Sequence, residues 1–513
     1  MADINQLAQS LQKLDDQLVS CMKCGMCQAA CPLYAETGRE TDVARGKLAL
    51  VENLAGEILR DPKAVKERLD RCLLCGSCAA SCPSGVKVLD IFLQARAIIT
   101  AYLGLSPVKK AIFRGMLANP KLFNAVLDLA PKFQRLFTKP VNDTLGSSCA
   151  RFMSPLLGDR HFQALAKTSW HKQQGTVDTP RGMSKVKIAF YPGCVVDKVY
   201  PRVAEAAFQI LSSHGVGIYM PSSQVCCGIP ALSSGDRQSF DRLVKDNLRL
   251  FSNMDFDYLI TPCATCTSTI KKIWPLMARE YPEQEQENIK ALADKTRDAT
   301  EFLAQTFSSS PVAERTSELR KVTYHDPCHL KKSLAVSEEP RSLLLRNPDF
   351  ELVEMTDADR CCGMGGTFNL QHYDLSKRIG DKKLQSILDT HADVVATCCP
   401  ACMMQITDLL SRAETSVEVK HVLEIYAQGL EAEKLRAQPR TTHKEGIWIP
   451  PNHPCLSPSP QRQRQSPPWS FLSPTWSRPC TKWSKAAPTN KPAPHWPADA
   501  SKISPRRPLI SVP

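Results

Sequence analysis

Residues 4–18 place Ile4, Leu7, Leu11, Leu14 and Leu18 at alternating steps of three and four, one apolar face of a helix. Further helical patterns run over Val43–Leu59 and Ala64–Leu69, so the first hundred or so residues read as mainly helical, ending near Tyr102. Residues 106–140 keep helical spacing through Leu117, Leu122, Phe123, Val126, Leu127 and Leu129. There Pro107, Pro120, Pro131 and Pro140 are expected to cut the chain into helices of about ten residues. From Lys185 the pattern changes. Short apolar strands at Val186–Tyr191, Gly217–Met220 and Tyr258–Ile260 alternate with helices at Val203–Ser213 and Asp241–Phe251. Strands at Lys321–His325, Glu351–Glu354 and Asp393–Ala396 repeat the arrangement, and a helix at Val419–Leu435 closes it. This alternation is the grammar of a parallel sheet. Cys194 and Cys328 lie 134 residues apart, Cys227 and Cys362 135, and Cys263 and Cys399 136. So constant an offset marks an internal duplication.

The cysteines change the picture most. There are 22, in clusters rather than scattered. Cys21-x2-Cys24-x2-Cys27-x3-Cys31-Pro32 recurs as Cys72-x2-Cys75-x2-Cys78-x3-Cys82-Pro83. Three thiolates at two-residue intervals can hold three irons of a cube, and in two-cluster ferredoxins the fourth Cys, before Pro, serves the other cluster. The expected sets are Cys21, Cys24, Cys27 with Cys82, and Cys72, Cys75, Cys78 with Cys31. Zinc competes for any paired C-x2-C but needs only four ligands. The duplicated halves hold a second chemistry, Cys194, Cys226, Cys227, Cys263, Cys266 and Cys328, Cys361, Cys362, Cys399, Cys402. All ten follow strands, where an open α/β sheet forms its crevice. Adjacent cysteines such as Cys226-Cys227 suit a multi-iron cluster better than one zinc ion, and zinc in each half is the competing reading. Gly228 and Gly363 are expected to let the backbone turn there. Cys398 reads as a spare thiol or a substitute ligand, His325 and His329 as groups that pack or support the ligands rather than ligate, and Cys149, Cys455 and Cys480 belong to no set.

The expected architecture is α/β with a helical N-terminal domain. Residues 1–102 form a two-cluster 4Fe–4S ferredoxin-like domain and 103–184 a helical basic connector. Residues 185–310 and 311–439 form two cysteine-rich parallel α/β domains carrying Cys-Cys-Gly, and 440–513 a disordered Pro-rich tail. Charge fits this division. The net charge is +13, but residues 441–513 hold ten Lys or Arg against Glu445 and Asp499, leaving +5 for the body and no nucleic-acid footprint. The tail also holds 16 of the 38 prolines, which argues against a packed core there. Within residues 106–140 seven cations face Asp128 alone, read as a connector of short helices whose apolar face packs on the domains it joins rather than as a dock for anionic lipid or an acidic subunit. Met1-Ala2-Asp3-Ile4-Asn5 has no leader pattern, so a cytoplasmic location is expected.

The order of two C-x2-C-x2-C-x3-C-P runs and two Cys-Cys-Gly (CCG) modules resembles the iron–sulfur subunit of glycolate oxidase and of FAD-linked lactate dehydrogenases. It also resembles the CCG-bearing heterodisulfide reductase subunit and the small subunit of anaerobic glycerol-3-phosphate dehydrogenase. The likeness spans residues 5–435. Leu69-Asp70-Arg71-Cys72-Leu73, Cys82-Pro83-Ser84-Gly85-Val86 and Val419-Lys420-His421-Val422-Leu423-Glu424-Ile425 favour the glycolate oxidase branch. The resemblance implies an electron-transfer subunit of a 2-hydroxy acid dehydrogenase complex. It would take electrons from a partner FAD subunit to a quinone or other acceptor, at the inner face of the cytoplasmic membrane. The alternatives it implies are a catalytic heterodisulfide reductase-like subunit and the glycerol-3-phosphate dehydrogenase subunit. Two cubane 4Fe–4S clusters are implied at the N-terminal runs. The complete thiol sets of the CCG modules resemble those holding one or two noncubane 4Fe–4S clusters. No G-x-G-x-x-G opens a helix here, so flavin and substrate chemistry belong to the partner.

Overall fold

The computed structural model describes residues 4–152, 158–307 and 318–437. The expected 310/311 boundary and the 440–513 tail lie outside the described residues. The first apolar face is real but belongs to two helices, Ile4–Gln12 and Asp15–Leu18, separated at Lys13 and Leu14. Leu7, Leu11, Leu14 and Leu18 are all buried and pack with helices Ala44–Ala55 and Val88–Leu103. Burying a Leu side chain contributes about 1.5–3 kcal/mol, so this layer holds the otherwise loop-rich cysteine runs in place. Arg96, buried on the Val88–Leu103 helix, donates to the carbonyls of Cys72 (2.9 Å) and Ser233 (2.7 Å). One side chain thus ties the second cysteine loop to the domain that follows.

The connector departs from the all-helical expectation in two ways. It contains a three-stranded antiparallel sheet of β1 (Thr138–Asn142), β2 (Ser147–Ala150) and β3 (His161–Gln163). These strands are short, β1 contains Pro140, and their order comes from docking on the last domain: Ser147 Oγ lies 2.6 Å from Ser411 Oγ, and His161 N donates to Asp408 Oδ1. The second departure is one helix of 18 residues, Pro120–Phe137, where pieces of about ten were expected. Pro120 occupies its first turn, where a missing N–H costs nothing, and Asn119 Oδ1 caps Leu122 N. Only Pro131 is internal, and the helix continues through it.

The two α/β modules are copies in topology. In the first, β4 (Val177–Asp178), β5 (Lys187–Phe190), β6 (Gly217–Met220), β7 (Tyr258–Thr261) and β8 (Thr296–Asp298) lie in the order β4-β6-β5-β7-β8. All pairs are parallel except β4 with β6. In the second, β9 (Arg320–Tyr324), β10 (Phe350–Leu352), β11 (Val394–Thr397) and β12 (Glu418–His421) lie in the order β10-β9-β11-β12, all parallel. Register is copied too: Ile188 pairs with Ile218 and Tyr258, as Val322 does with Leu352 and Val394. The first sheet's extra edge strand, β4, lies in what the sequence assigns to the connector. β8 and β12 are also additions to the expected set; the pattern alone merges β12 with the closing helix, which runs over Val422–Ala437.

The modules share one core, in which Ile188, Phe190 and Val203 join Val322, Tyr324, Val395 and Leu423. The helix Pro201–Ser213 packs on the closing helix. A smaller core of Leu33, Leu73, Cys75, Cys361, Phe368 and Ile379 joins the second cysteine run to the second module. The N-terminal domain therefore touches both modules, but its second cysteine loop meets the second.

Candidate metal centres

The two N-terminal cysteine loops have one backbone. Lys23 and Leu74, each two residues after the first Cys, have φ near +55°, and Gly25 and Gly76 then cap short helices from φ +90° and +75°. Non-glycine residues in that region are uncommon, and strain of this kind persists where surrounding structure holds it for a purpose. Cys21, Cys24, Cys27 and Cys82 line one cleft, which Cys78 also lines. Cys31, Cys72, Cys75 and Cys78 line a second. Each cleft therefore gathers three thiols of one run and the fourth of the other. Burial pushes the Cys31 thiol up to about 11, and Cys78 is raised by burial as well. Lys47, 1 % exposed, lies beside Cys31 and Cys72 and donates to the Asp42 carbonyl. A buried cation among thiols fits an anionic group in the cleft. The thiols and strained loop of each cleft, with a buried counter-charge at the second, fit a 4Fe–4S cluster in each.

In the modules the thiols converge at the C-terminal ends of three parallel strands. Cys194, Cys226-Cys227 and Cys263 follow β5, β6 and β7; Cys328, Cys361-Cys362 and Cys399 follow β9, β10 and β11. Cys266 and Cys402 sit on the helices beginning at Ala264 and Pro400. Gly228 and Gly363 do turn the chain, at φ +91° and +95°, and both also admit a close helix. A Cβ on Gly363 would stand 2.4 Å from the Ser376 carbonyl oxygen, and one on Gly228 would stand 2.8 Å from the Phe240 ring. All ten are free thiols; Cys194 and Cys226 sulfurs stand 3.7 Å apart, far beyond a disulfide bond.

The ten thiols also touch one another between modules. Cys75 of the N-terminal domain meets Cys361, which meets Cys328 and Cys362. Cys362 meets Cys402, Cys402 meets Cys399, and Cys399 crosses to Cys263 of the first module. Cys263 then leads through Cys266, Cys227 and Cys226 to Cys194. His329 braces the first junction, with Nε2 3.2 Å from the Leu74 carbonyl and Nδ1 3.1 Å from Thr265 Oγ1. Although the N-terminal domain packs on both modules, the thiols therefore run from that domain to the second module and then to the first.

Two residues near these thiols, Lys383 and His171, escape sequence reasoning. His325, expected to pack or to support the ligands, has a ring nitrogen within 4.8 Å of the Cys362 and Cys402 sulfurs. It is fully buried, its Nδ1 has no hydrogen-bond partner, and burial pushes it down to about 3. Lys383, also fully buried, donates to the carbonyls of Asp357 (2.7 Å) and Ala358 (3.1 Å), and burial brings it down to about 8. His171, paired with Asp197 at 2.7 Å, lines a cleft that reaches Cys194 and Cys226. A lone Lys in a helix and isolated His residues carry no spacing signal. Cys398 leaves the set: its sulfur accepts from Tyr324 OH at 3.5 Å and faces Thr300. Cys149 is buried on β2; Cys455 and Cys480 lie outside the described residues.

A 4Fe–4S dicluster domain family matches residues 17–86, and the CCG cysteine-rich domain family matches twice, at 188–271 and 322–407. Lactate utilization protein A of Geobacillus thermodenitrificans is 32 % identical over 240 residues, 47 % of this chain and 98 % of that protein. The chain belongs to this family of CCG-domain iron–sulfur proteins. The probable glycolate oxidase iron–sulfur subunit of Bacillus subtilis is 29 % identical over 423 residues, 80 % of this chain and 93 % of that protein. One subunit of the fumarate reductase (CoM/CoB) of Methanothermobacter marburgensis is 27 % identical over 415 residues, 80 % and 72 % of the two chains. Membership makes the chain a 4Fe–4S protein with duplicated cysteine-rich modules. The family's matched segments cover every cysteine of the four sets.

Proposed function

We propose that the chain is the iron–sulfur subunit of a glycolate or lactate dehydrogenase complex, passing electrons from a partner FAD subunit to a quinone or similar acceptor. The observation that carries this reading is the unbroken succession of thiol contacts from Cys75 through both modules to Cys194. Cys21, Cys24, Cys27 and Cys82 would hold one cubane cluster, and Cys31, Cys72, Cys75 and Cys78 a second. Cys194, Cys226, Cys227, Cys263 and Cys266, and Cys328, Cys361, Cys362, Cys399 and Cys402, would hold noncubane clusters. When bound, such clusters take up and release single electrons. The relatives' names support the substrate class: one is a glycolate oxidase subunit, another a lactate utilization protein.

The two ends of the succession support its use as a conduit. Beyond the Cys75 end, in the first cysteine run, Cys24 is exposed, and Val19, Met22 and Met26 are 75, 67 and 54 % exposed around its loop. An apolar patch at that loop suits docking of the flavoprotein. At the other end Cys194 and Cys226 line a surface cleft. The thiols stay reduced in a cytoplasmic compartment, where we place the complex. The test is anaerobic co-purification followed by iron analysis and glycolate- or lactate-driven quinone reduction. We expect a flavoprotein to come down with the chain and Cys75→Ser to abolish quinone reduction while flavin reduction persists. Zinc in place of iron, or quinone reduction that survives Cys75→Ser, would overturn the reading.

A further inference from the structure

We propose that the outward face of the Pro120–Phe137 helix docks on an anionic lipid bilayer. The described residues include 18 large apolar side chains that are exposed, and 11 of them fall between Leu103 and Phe152. On this helix they form a stripe. Leu122, Val126, Leu129, Phe133 and Leu136 recur at steps of four and three and are 41–62 % exposed, with Phe137 at 61 % beside them. An apolar stripe at helical period ordinarily faces a core. Here it faces out along the whole helix, about 27 Å at 1.5 Å per residue.

The charges say what covers it. Lys121, Lys132 and Arg135 are exposed on the flank of the stripe and make no ion pair among the described residues. The helix's one acid, Asp128, turns inward, where its Oδ1 accepts from Lys198 Nζ and Ser169 Oγ, both at 3.0 Å. Bulky apolar groups beside unpaired cations, with no outward acid, form the signature of a helix lying in a membrane interface. A second copy would set the same cations against one another. No single described helix is long and apolar enough to cross a membrane, so the contact would be peripheral.

The inner face of the same helix gives the docking a use. Pro120, Phe123 and Asn124 close the cleft that reaches Cys194 and Cys226. Docking would bring that end of the thiol succession to the lipid surface, where a quinone is dissolved. This last step rests on the electron-transfer reading, but vesicle binding itself involves no electron flow, so failure of either shows separately.

The test is co-sedimentation of the full chain with phosphatidylcholine vesicles, with and without about 30 % phosphatidylglycerol. The wild type is expected to bind the anionic vesicles at least ~10-fold more tightly than the neutral ones, and less tightly as salt rises. Lys132→Glu with Arg135→Glu should weaken binding by about 10- to 100-fold, and Leu129→Asp with Phe133→Asp by about 100-fold or more. Iron content and circular dichroism equal to wild type verify folding; if one pair of substitutions unfolds the chain, the other decides. Wild type left in the supernatant, or variants sedimenting like wild type, would overturn the proposal. So would an acidic protein or a second copy covering the stripe while vesicles do not bind.

Discussion

The two CCG modules share strand order, register and five cysteines, and the side chains around those cysteines differ in charge. Where the first has Tyr191, three residues before Cys194, the second has His325, three before Cys328. Where the first has Asn247, whose Nδ2 donates to the Cys226 carbonyl at 3.1 Å, the second has Lys383. Tyr191 is likewise neutral and donates its hydroxyl to the Val225 carbonyl at 2.5 Å. The neutral Asn247 belongs to the module whose thiols reach the surface cleft lined by His171 and Asp197, and the buried Lys383 to the module that meets Cys75. Duplication thus supplied two equal scaffolds, and substitution at two packed positions made their sites unequal. A cation beside a cluster stabilises its reduced form, so the second site would sit at the higher potential.

The harshest way to probe the shared scaffold is at its glycines, and even there the modules should part. Gly363→Ala drives a methyl against a backbone oxygen at 2.4 Å, which cannot give way, and should cost about 3–5 kcal/mol in stability. Gly228→Ala meets the edge of the Phe240 ring, which can shift, and should cost about 2–3 kcal/mol. Melting temperatures and iron retention measure both; equal losses would show that the neighbours do not set the cost.

The charge difference is tested by exchange. Lys383→Met should lower the potential of the second module's centre by on the order of 50–100 mV, while Asn247→Lys raises that of the first. Potentiometric titration followed by EPR reads both shifts. Potentials that stay put would remove charge as the basis of the difference.

A third contrast lies at the last strand of each sheet. Asp298 and His421 both begin helices with a Glu three residues on reaching back, through Glu301 and Glu424. Burial pushes Asp298 up to about 7 and His421 down to about 4. The signs are opposite. An acid raised by folding gives stability present below its ordinary carboxylate range and lost as pH climbs to about 7. A histidine lowered by folding gives stability present above about 6.5 and lost as pH falls towards 4. Thermal midpoints between those limits should lose their fall with rising pH in Asp298→Asn, and their fall with acid in His421→Asn. The smallest effect is expected from Tyr191→Phe, about 1 kcal/mol for one unmade hydrogen bond, with iron content unchanged. A loss of iron there would make the tyrosine part of the site.

Much of the site was legible because its signals are local. The spacing within Cys21–Cys31 and Cys72–Cys82, and the constant offset between the halves, lie along the chain and survive any packing. Strands were readable for the same reason at β5, β6, β7 and β11, which are short apolar runs flanked by Gly, Pro or Cys, whereas β9 and β10 are more polar and lie one residue or more from their expected ranges. The connector sheet was not, because β1 to β3 are ordered by Ser411 and Asp408 rather than by their own pattern. Pro120 and Pro131 misled for a related reason: a proline's effect depends on its place in the helix, which its identity does not state.

Along the chain the N-terminal domain and connector are followed by the first module and then the second. The sequence by itself determined which thiols form a set, because ligand spacing and strand ends are properties of neighbours in the chain. Only the tertiary structure decided the order of the sets, through Cys75 against Cys361 and Cys399 against Cys263. It also turned the Pro120–Phe137 stripe outward and sent His325 and Lys383 to the second site alone. Those contacts join residues far apart in sequence, and the packing of three domains on one another selects them.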